Sequence, residues 1–264
     1  MRWPPLVRQV FQIRISNLGP LLSALHFLTT IPLLPERPYS DDEFGKAVGM
    51  FPLVGLMIGG ILALIQFLLS MVFPNTVIAA VLLLSWLVIT GALHLDGLLD
   101  SFDGLLGGTD KDSRLEIMKD ERIGAFGFAA GVSLILLKFS VLSTLVGTPN
   151  SLGAVILAPT LGRWSLTLAI VFFPYAREHG LGRNVKDRST WRQIVLATGT
   201  SILVAFFIYY WMGLVIMLTV ALVVGLVARF AINRISGLTG DIYGAICEIT
   251  ELVVLLILVI QWNY

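Results

Sequence analysis

Long apolar runs, each near the length of a membrane span and separated by short polar segments, constrain this chain more than any other feature. They cover residues 47–73, 76–95, 124–146, 151–173, 194–211, 214–228 and 246–260. A bilayer core about 30 Å thick is crossed by roughly 20 apolar residues of helix. In lipid only helices and closed barrels satisfy their own backbone. Composition agrees, with 56% hydrophobic and 13% charged residues, where a soluble domain carries about a quarter charged. The expected fold is all-α: a polytopic transmembrane helical bundle of about seven spans, one integral membrane domain over residues 1–264. A shorter apolar run, residues 20–34, is bounded by prolines and reads as a half-span or re-entrant element, with His26, Thr29 and Thr30 as its polar side chains. Residues 1–19, with Arg2, Arg8 and Arg14, read as a membrane-surface segment too broken by charge and proline to be a cleavable signal.

Charge placement orients the bundle. With the N-terminus inside and seven alternating spans, the turns at 74–75, 147–150 and 212–213 face outward and hold no Lys or Arg. The connections at 96–123, 174–193 and 229–245 face inward and hold four, five and two. Of 18 Lys and Arg residues, only Lys138 and Arg163 fall within spans. This is the positive-inside pattern, and it gathers the polar motifs on a cytoplasmic face. No basic stripe with interleaved aromatics points to nucleic acid. Cys247 is the lone cysteine, so no disulfide forms within the chain.

The chemistry is concentrated at His94–Gly127. Asp96, Asp100 and Asp103 stand at i, i+4 and i+7, in one stripe of a helix. No cation lies between them, and the oxygen ligands suit Mg²⁺. Acidic runs are usually solvated helix faces, but charges at the mouth of a hydrophobic span are costly and tend to serve function. In the following block Asp120 can join the metal. Lys119 and Arg122 can hold phosphate oxygens, and Gly124 and Gly127 open a span whose N-terminus offers N–H groups to an anion. The competing reading of this block is an interfacial anchor. A third block, Arg234 to Glu248, places Asp241 and Glu248 seven apart and offers Arg234, Ser236 and Thr239 to a phosphate or nucleotide. Lys138 and Arg163 either pair with buried carboxylates or meet substrate, with equal weight. The basic loop with Arg177, Gly180, Gly182 and Arg183 reads either as an ordinary cytoplasmic loop or as a ligand site, with a mobile lid as one use of it. His94 is a candidate base, although on a regular helix it points about 200° away from Asp96.

Four blocks together resemble the cobalamin synthase family, the adenosylcobinamide-GDP ribazoletransferases: Phe27–Pro32, His94–Gly104, Arg114–Gly127 and Ser236–Ala245. The likeness covers the chain in order. Leu99 and Phe102 are bulkier than is usual there, and the loop near 177–192 matches poorly. The resemblance implies a Mg²⁺-dependent multi-pass enzyme of the bacterial inner membrane that completes the nucleotide loop of cobalamin. A ribose hydroxyl of α-ribazole or its 5′-phosphate attacks adenosylcobinamide-GDP. GMP leaves, and adenosylcobalamin or its 5′-phosphate forms.

The expected metal ligands are Asp96, Asp100, Asp103, Asp120, Asp241 and Glu248. The expected phosphate and substrate contacts are Lys119, Arg122, Arg163, Arg234, Ser236 and Thr239. An aspartate or His94 would take the hydroxyl proton. The implied partners are the two small-molecule substrates and the lipid bilayer, with a homo-oligomer left open. Two other classes fit less well. A CDP-alcohol phosphotransferase would carry an Ala-Arg pair after its first Asp-Gly, and Leu98–Phe102 contains no Arg; a prenyltransferase-like enzyme shares spaced aspartates at a helix mouth. A transporter would place its polar groups near the midplane rather than on one side.

Overall fold

The computed structural model describes residues 18–31 and 41–260. The expected surface segment and the loop after residue 34 therefore lie largely outside the described residues. A short apolar helix, α1 (Leu18–Leu28), comes first. α2 (Asp41–Ala47) passes through one 3₁₀ turn into α3 (Phe51–Leu69). Then follow α4 (Asn75–Thr90), α5 (Leu93–Gly107), α6 (Lys111–Ile117), α7 (Ala125–Leu145), α8 (Ser151–Phe172), α9 (Leu181–Arg188), α10 (Trp191–Ile235) and α11 (Gly240–Ile260). Five helical stretches are long and apolar enough to cross a membrane, and the bent pair α4–α5 makes a sixth. The chain is an all-helical, multi-pass membrane protein.

α10 spans 45 residues but is not one rod. Tyr210 leaves helical geometry at φ 51°, ψ −135°. Gly213 then comes against the carbonyl of Ala205, so closely that a Cβ at Gly213 would collide with it. Eight residues of straight helix would separate them by about 12 Å along the axis. The chain therefore doubles back at Tyr210, and residues 191–209 and 211–235 run as two arms. These are the two spans expected at 194–211 and 214–228, each extended at its polar end.

Contacts between turns define the two ends of the bundle. Gln66 Nε2 donates to Ser151 Oγ (2.7 Å), Tyr209 O–H donates to Asn150 O (2.8 Å), and Gly147 abuts Asn75. The turns free of Lys and Arg thus lie together. At the opposite end Ala176 N donates to Leu238 O and Leu238 N to Pro174 O, both at 2.8 Å, and Arg114 Nη1 donates to Arg234 O at 3.3 Å. The connections rich in cations meet there. α8 runs through the centre, buried along most of its length. α3 packs on it where a Cβ at Gly55 would strike Pro159 O and one at Gly59 would lie 2.6 Å from Ile156 Cα. Small residues allow such close backbone approach in membrane bundles, which accounts for the glycine run.

Two boundaries differ from expectation. The span expected to run to residue 95 stops at Thr90. Gly91 and Ala92 take left-handed φ values of 60° and 54°, and α5 departs at 87° to α4. Ala92 in that region costs about 1 kcal/mol. The freed carbonyls at the end of α4 find donors from outside the helix: Thr30 Oγ1 bonds Val88 O at 2.7 Å and Thr30 N bonds Ile89 O at 2.8 Å. The second difference lies at 229–245, expected as a polar connection. It is helical through Ile235 and again from Gly240. Hydropathy marks where a helix leaves lipid rather than where it ends, and Arg234 settles its guanidinium 3.6 Å over the Phe230 ring.

Candidate active site

α5 carries the aspartate stripe and packs between the first turns of α7 and α11. Its approach to α11 depends on two glycines. A Cβ at Gly97 would lie 2.7 Å from Asp241 O, and one at Gly244 would lie 3.0 Å from His94 O. α5 shows no break at Gly97; the break that frees it lies at Gly91–Ala92. The helix thereby brings Asp96, Asp100 and Asp103 toward Asp241, which stands in the first turn of α11.

The three aspartates of the stripe meet different surroundings. Asp96 is exposed at the mouth of a cavity of about 320 Å³, which Asp241 also lines. Asp100 is half-buried beside the carboxylates of Asp96, Asp241 and Asp103, and among the described residues no cation forms a salt bridge with it. Asp103 is buried and turned toward α7. Gly124 N donates to its Oδ2 (2.7 Å) and Gly127 N to its Oδ1 (2.8 Å). Asp103 is therefore the cap of α7, favoured by the helix dipole. This corrects the expectation that the N–H groups of Gly124 and Gly127 stand open to a ligand anion.

Asp241 accepts from Arg177 Nη2 (3.0 Å) and from Thr239 Oγ1 (3.1 Å). Thr239 is buried, and its oxygen also takes Ile242 N at 3.3 Å, so it caps α11 and orients Asp241. Arg177, Tyr175 and His179 reach the cavity from the connection after α8, and Tyr243 joins them from α11. The Tyr175 and Tyr243 rings lie 6.0 Å apart. Phe27, Phe51, Leu166 and Ile170 form the apolar wall.

The other expected residues stand elsewhere. Asp120 is tied to Arg122, whose Nη2 lies 2.7 Å from Oδ2, and these hydrogen bonds hold the Asp120 carboxyl down at about 2. Lys119 and Arg122 are exposed on the connection before α7 and do not line the cavity. Ser236 ends α10 in the left-handed region at φ 64°. Arg234 lies over Phe230. Arg163 and Glu248, expected at substrate and metal, belong to a separate set in the core. Lys138 Nζ bonds Glu248 Oε2 (2.5 Å) and Glu251 Oε2 (2.6 Å) and sits 4.8 Å over the Trp86 ring. Arg163, fully buried, bonds Glu251 Oε1 and contacts His94 Nδ1 at 3.3 Å. Pairing buried charges is the ordinary solution in lipid, so the equal-weight alternative for Lys138 and Arg163 resolves to pairing. α11 does begin early enough to hold both Asp241 and Glu248. Two turns nevertheless separate them by about 10 Å along the axis, and Glu248 stands apart from the mouth.

Among the described residues, no three or more His, Cys, Asp or Glu side chains close into a ready-made metal cage. Mg²⁺ is usually held by one or two carboxylates with substrate phosphate and water supplying the rest. Asp96 and Asp100, one helical turn apart and mutually repelling, fit that mode. Arg177, on the loop that reads either as an ordinary loop or as a ligand site, lines the cavity; Tyr175 and Tyr243 were not anticipated as site residues. The one available signal was the basic block around Gly180, whose spacing reads equally as a surface loop. Glu251 was also missed, because within an apolar run it looks like a lone carboxylate.

A multi-pass helical membrane protein with a carboxylate-rimmed cavity at its cationic end is the class these features define. Within that class, the chain belongs to the cobalamin-5-phosphate synthase family, whose profile matches residues 20–259. It is a transferase of cobalamin synthesis. An adenosylcobinamide-GDP ribazoletransferase of Desulfitobacterium hafniense (strain Y51) is 40% identical over 246 residues, 92% of this chain and 97% of the relative. One of Roseiflexus sp. (strain RS-1) is 39% identical over 238 residues, 90% and 88% of the two chains. One of Herpetosiphon aurantiacus is 38% identical over 244 residues, 92% and 97%. No solved structure matches this chain.

Proposed function

We propose that this protein joins adenosylcobinamide-GDP to α-ribazole or its 5′-phosphate, releasing GMP and forming adenosylcobalamin or its 5′-phosphate, in a Mg²⁺-dependent reaction. The observation that carries this reading is the convergence of Asp96 and Asp241 from two helices at one cavity, with Arg177 beside them and Asp100 next to the pair. The names of the relatives support the substrates.

Transfer from a diphosphate requires charge neutralisation at the leaving phosphate and in-line placement of the hydroxyl. Asp96 and Asp100 would hold Mg²⁺, with Asp241 at hand; bound there, the ion would supply charge neutralisation to the diphosphate. Asp103 supports the set from the α7 cap. Arg177 sits where it can take a nonbridging oxygen, and Tyr175 and Tyr243 offer ring faces to a nucleotide base. Lys119 and Arg122 are candidates for the rim rather than the cavity. A carboxylate free of metal would accept the hydroxyl proton. The active site faces the cytoplasm across the bacterial inner membrane, in keeping with the cations gathered at its end of the bundle.

The test uses purified protein in detergent with adenosylcobinamide-GDP, either acceptor and Mg²⁺, read by mass spectrometry. GMP and joined corrinoid that vanish with EDTA are expected. No product from either acceptor, in folded protein supplied with Mg²⁺, would overturn the reading.

A further inference from the structure

His94 joins two parts of the molecule. It lines the cavity, yet only 4% of it is exposed. Its Nδ1 lies 3.3 Å from Arg163 Nη2, and no other hydrogen bond to the ring forms among the described residues. A guanidinium has donors only and cannot accept. Nδ1 must therefore present its lone pair, and the ring's proton falls on Nε2.

Arg163 is held in turn. Glu251 Oε1 takes its Nη1, while Glu251 Oε2 takes Lys138. The close approach at Gly162, where a Cβ would lie 2.8 Å from Glu251 Cγ, brings α8 and α11 near enough for this. The His94 backbone is fixed as well, because Gly244 of α11 packs directly against it. A chain of contacts thus runs from α7 and α11 through α8 to the ring at the cavity.

We propose that Glu251 and Arg163 are positioning residues that hold His94 as a hydrogen-bond donor, with its Nε2–H available in the cavity to a phosphate oxygen of the substrate. This rests on reading the cavity as a diphosphate site. Orientation of an imidazole by the partner of its other nitrogen is general. Here the partner is a cation that only donates, so the other ring nitrogen, Nε2, carries the hydrogen and His94 does not serve as the base.

The first test needs no turnover. In protein labelled with ¹⁵N-histidine, the ring signals lost in His94→Gln belong to His94. Nδ1 should resonate as an unprotonated nitrogen and Nε2 as a protonated one, and GDP should shift Nε2 more than Nδ1. Changing Arg163→Gln with Glu251→Gln, which removes both buried charges together, should mix the two tautomers. A proton on Nδ1 in the unaltered protein, an unmoved tautomer in the double variant, or no response of Nε2 to GDP would each overturn the proposal.

The second test reads kcat with the natural substrates. A Gln amide stands in for Nε2, whereas Asn stands in for Nδ1. Because a hydrogen bond to a charged group is worth about tenfold or more, His94→Gln should exceed His94→Asn by about that factor. Equal or better turnover in His94→Asn would reduce His94 to a structural partner of Arg163, and His94→Gln as inactive as His94→Ala would make it a base. If the unaltered protein turns over neither acceptor, the proposed function fails while the ¹⁵N result still decides the Arg163–His94 relation.

Discussion

Two groups of charged side chains lie near each other along α11 and obey opposite rules. In the core, Lys138, Arg163, Glu248 and Glu251 balance in sign, and each is almost fully buried. At the mouth, Asp96, Asp100 and Asp103 share one sign, and the partner found by Asp241 there is Arg177. Deep charges persist only when paired, since the alternative is an uncompensated ion in a medium of low dielectric. Asp96 and Asp100 can stay unbalanced because water reaches them, and Asp103 because two backbone N–H groups hold it; repulsion among them makes the place attractive to a cation and the phosphates it accompanies. Balanced charge holds helices together; unbalanced charge waits for something to bind.

Breaking the balanced group should have the largest effect. Glu251→Ala leaves Arg163 and Lys138 short of a partner and should cost about 3–5 kcal/mol of stability, seen as a sharp fall in unfolding midpoint and in yield. Lys138→Leu with Glu248→Leu removes one charge of each sign and should recover much of what Lys138→Leu alone loses. A pair no better than the single variant would dissolve the balance argument.

The mouth should answer differently. Asp100→Asn relieves repulsion, so the protein should insert and melt at least as high as before, while kcat falls by about 10²–10³-fold. Near-normal turnover would remove Asp100 from the site.

Arg122→Ala should do least. Its side chain is 88% exposed and bound to Asp120 outside the cavity, where water and salt screen the pair. Turnover should change by less than about threefold, well below Arg177→Ala at the cavity wall. A larger loss in Arg122→Ala would move the phosphate contacts out to the rim.

Much of the molecule was legible in the chain itself. Apolar length specified the spans, including the pair that α10 joins without a loop, and the charge-free turns fell at one end. The i, i+4, i+7 stripe specified α5 and one face of it. The break at Gly91–Ala92 was not legible, because Ala92 is an ordinary residue and the donors at the freed carbonyls come from Thr30, far away in the chain. Asp103 looked equivalent to Asp96 and Asp100 until α7 brought its N–H groups to it. Glu248 and Asp241 looked like one set, and only the neighbours of α11 separate them.

By itself, the sequence determined the environment, the helical class, the end at which charge collects and the carboxylates that crowd there. These depend on composition and on the helical period, which are local. The tertiary structure decided which carboxylate caps a helix, which is neutralised in the core and which stays open to a ligand. It also brought Arg177 to Asp241 across 64 positions of chain and Arg163 to His94 across 69. A side chain's ionic role is set by what stands within a few ångströms of it in space, and in a helical bundle those neighbours come from other helices.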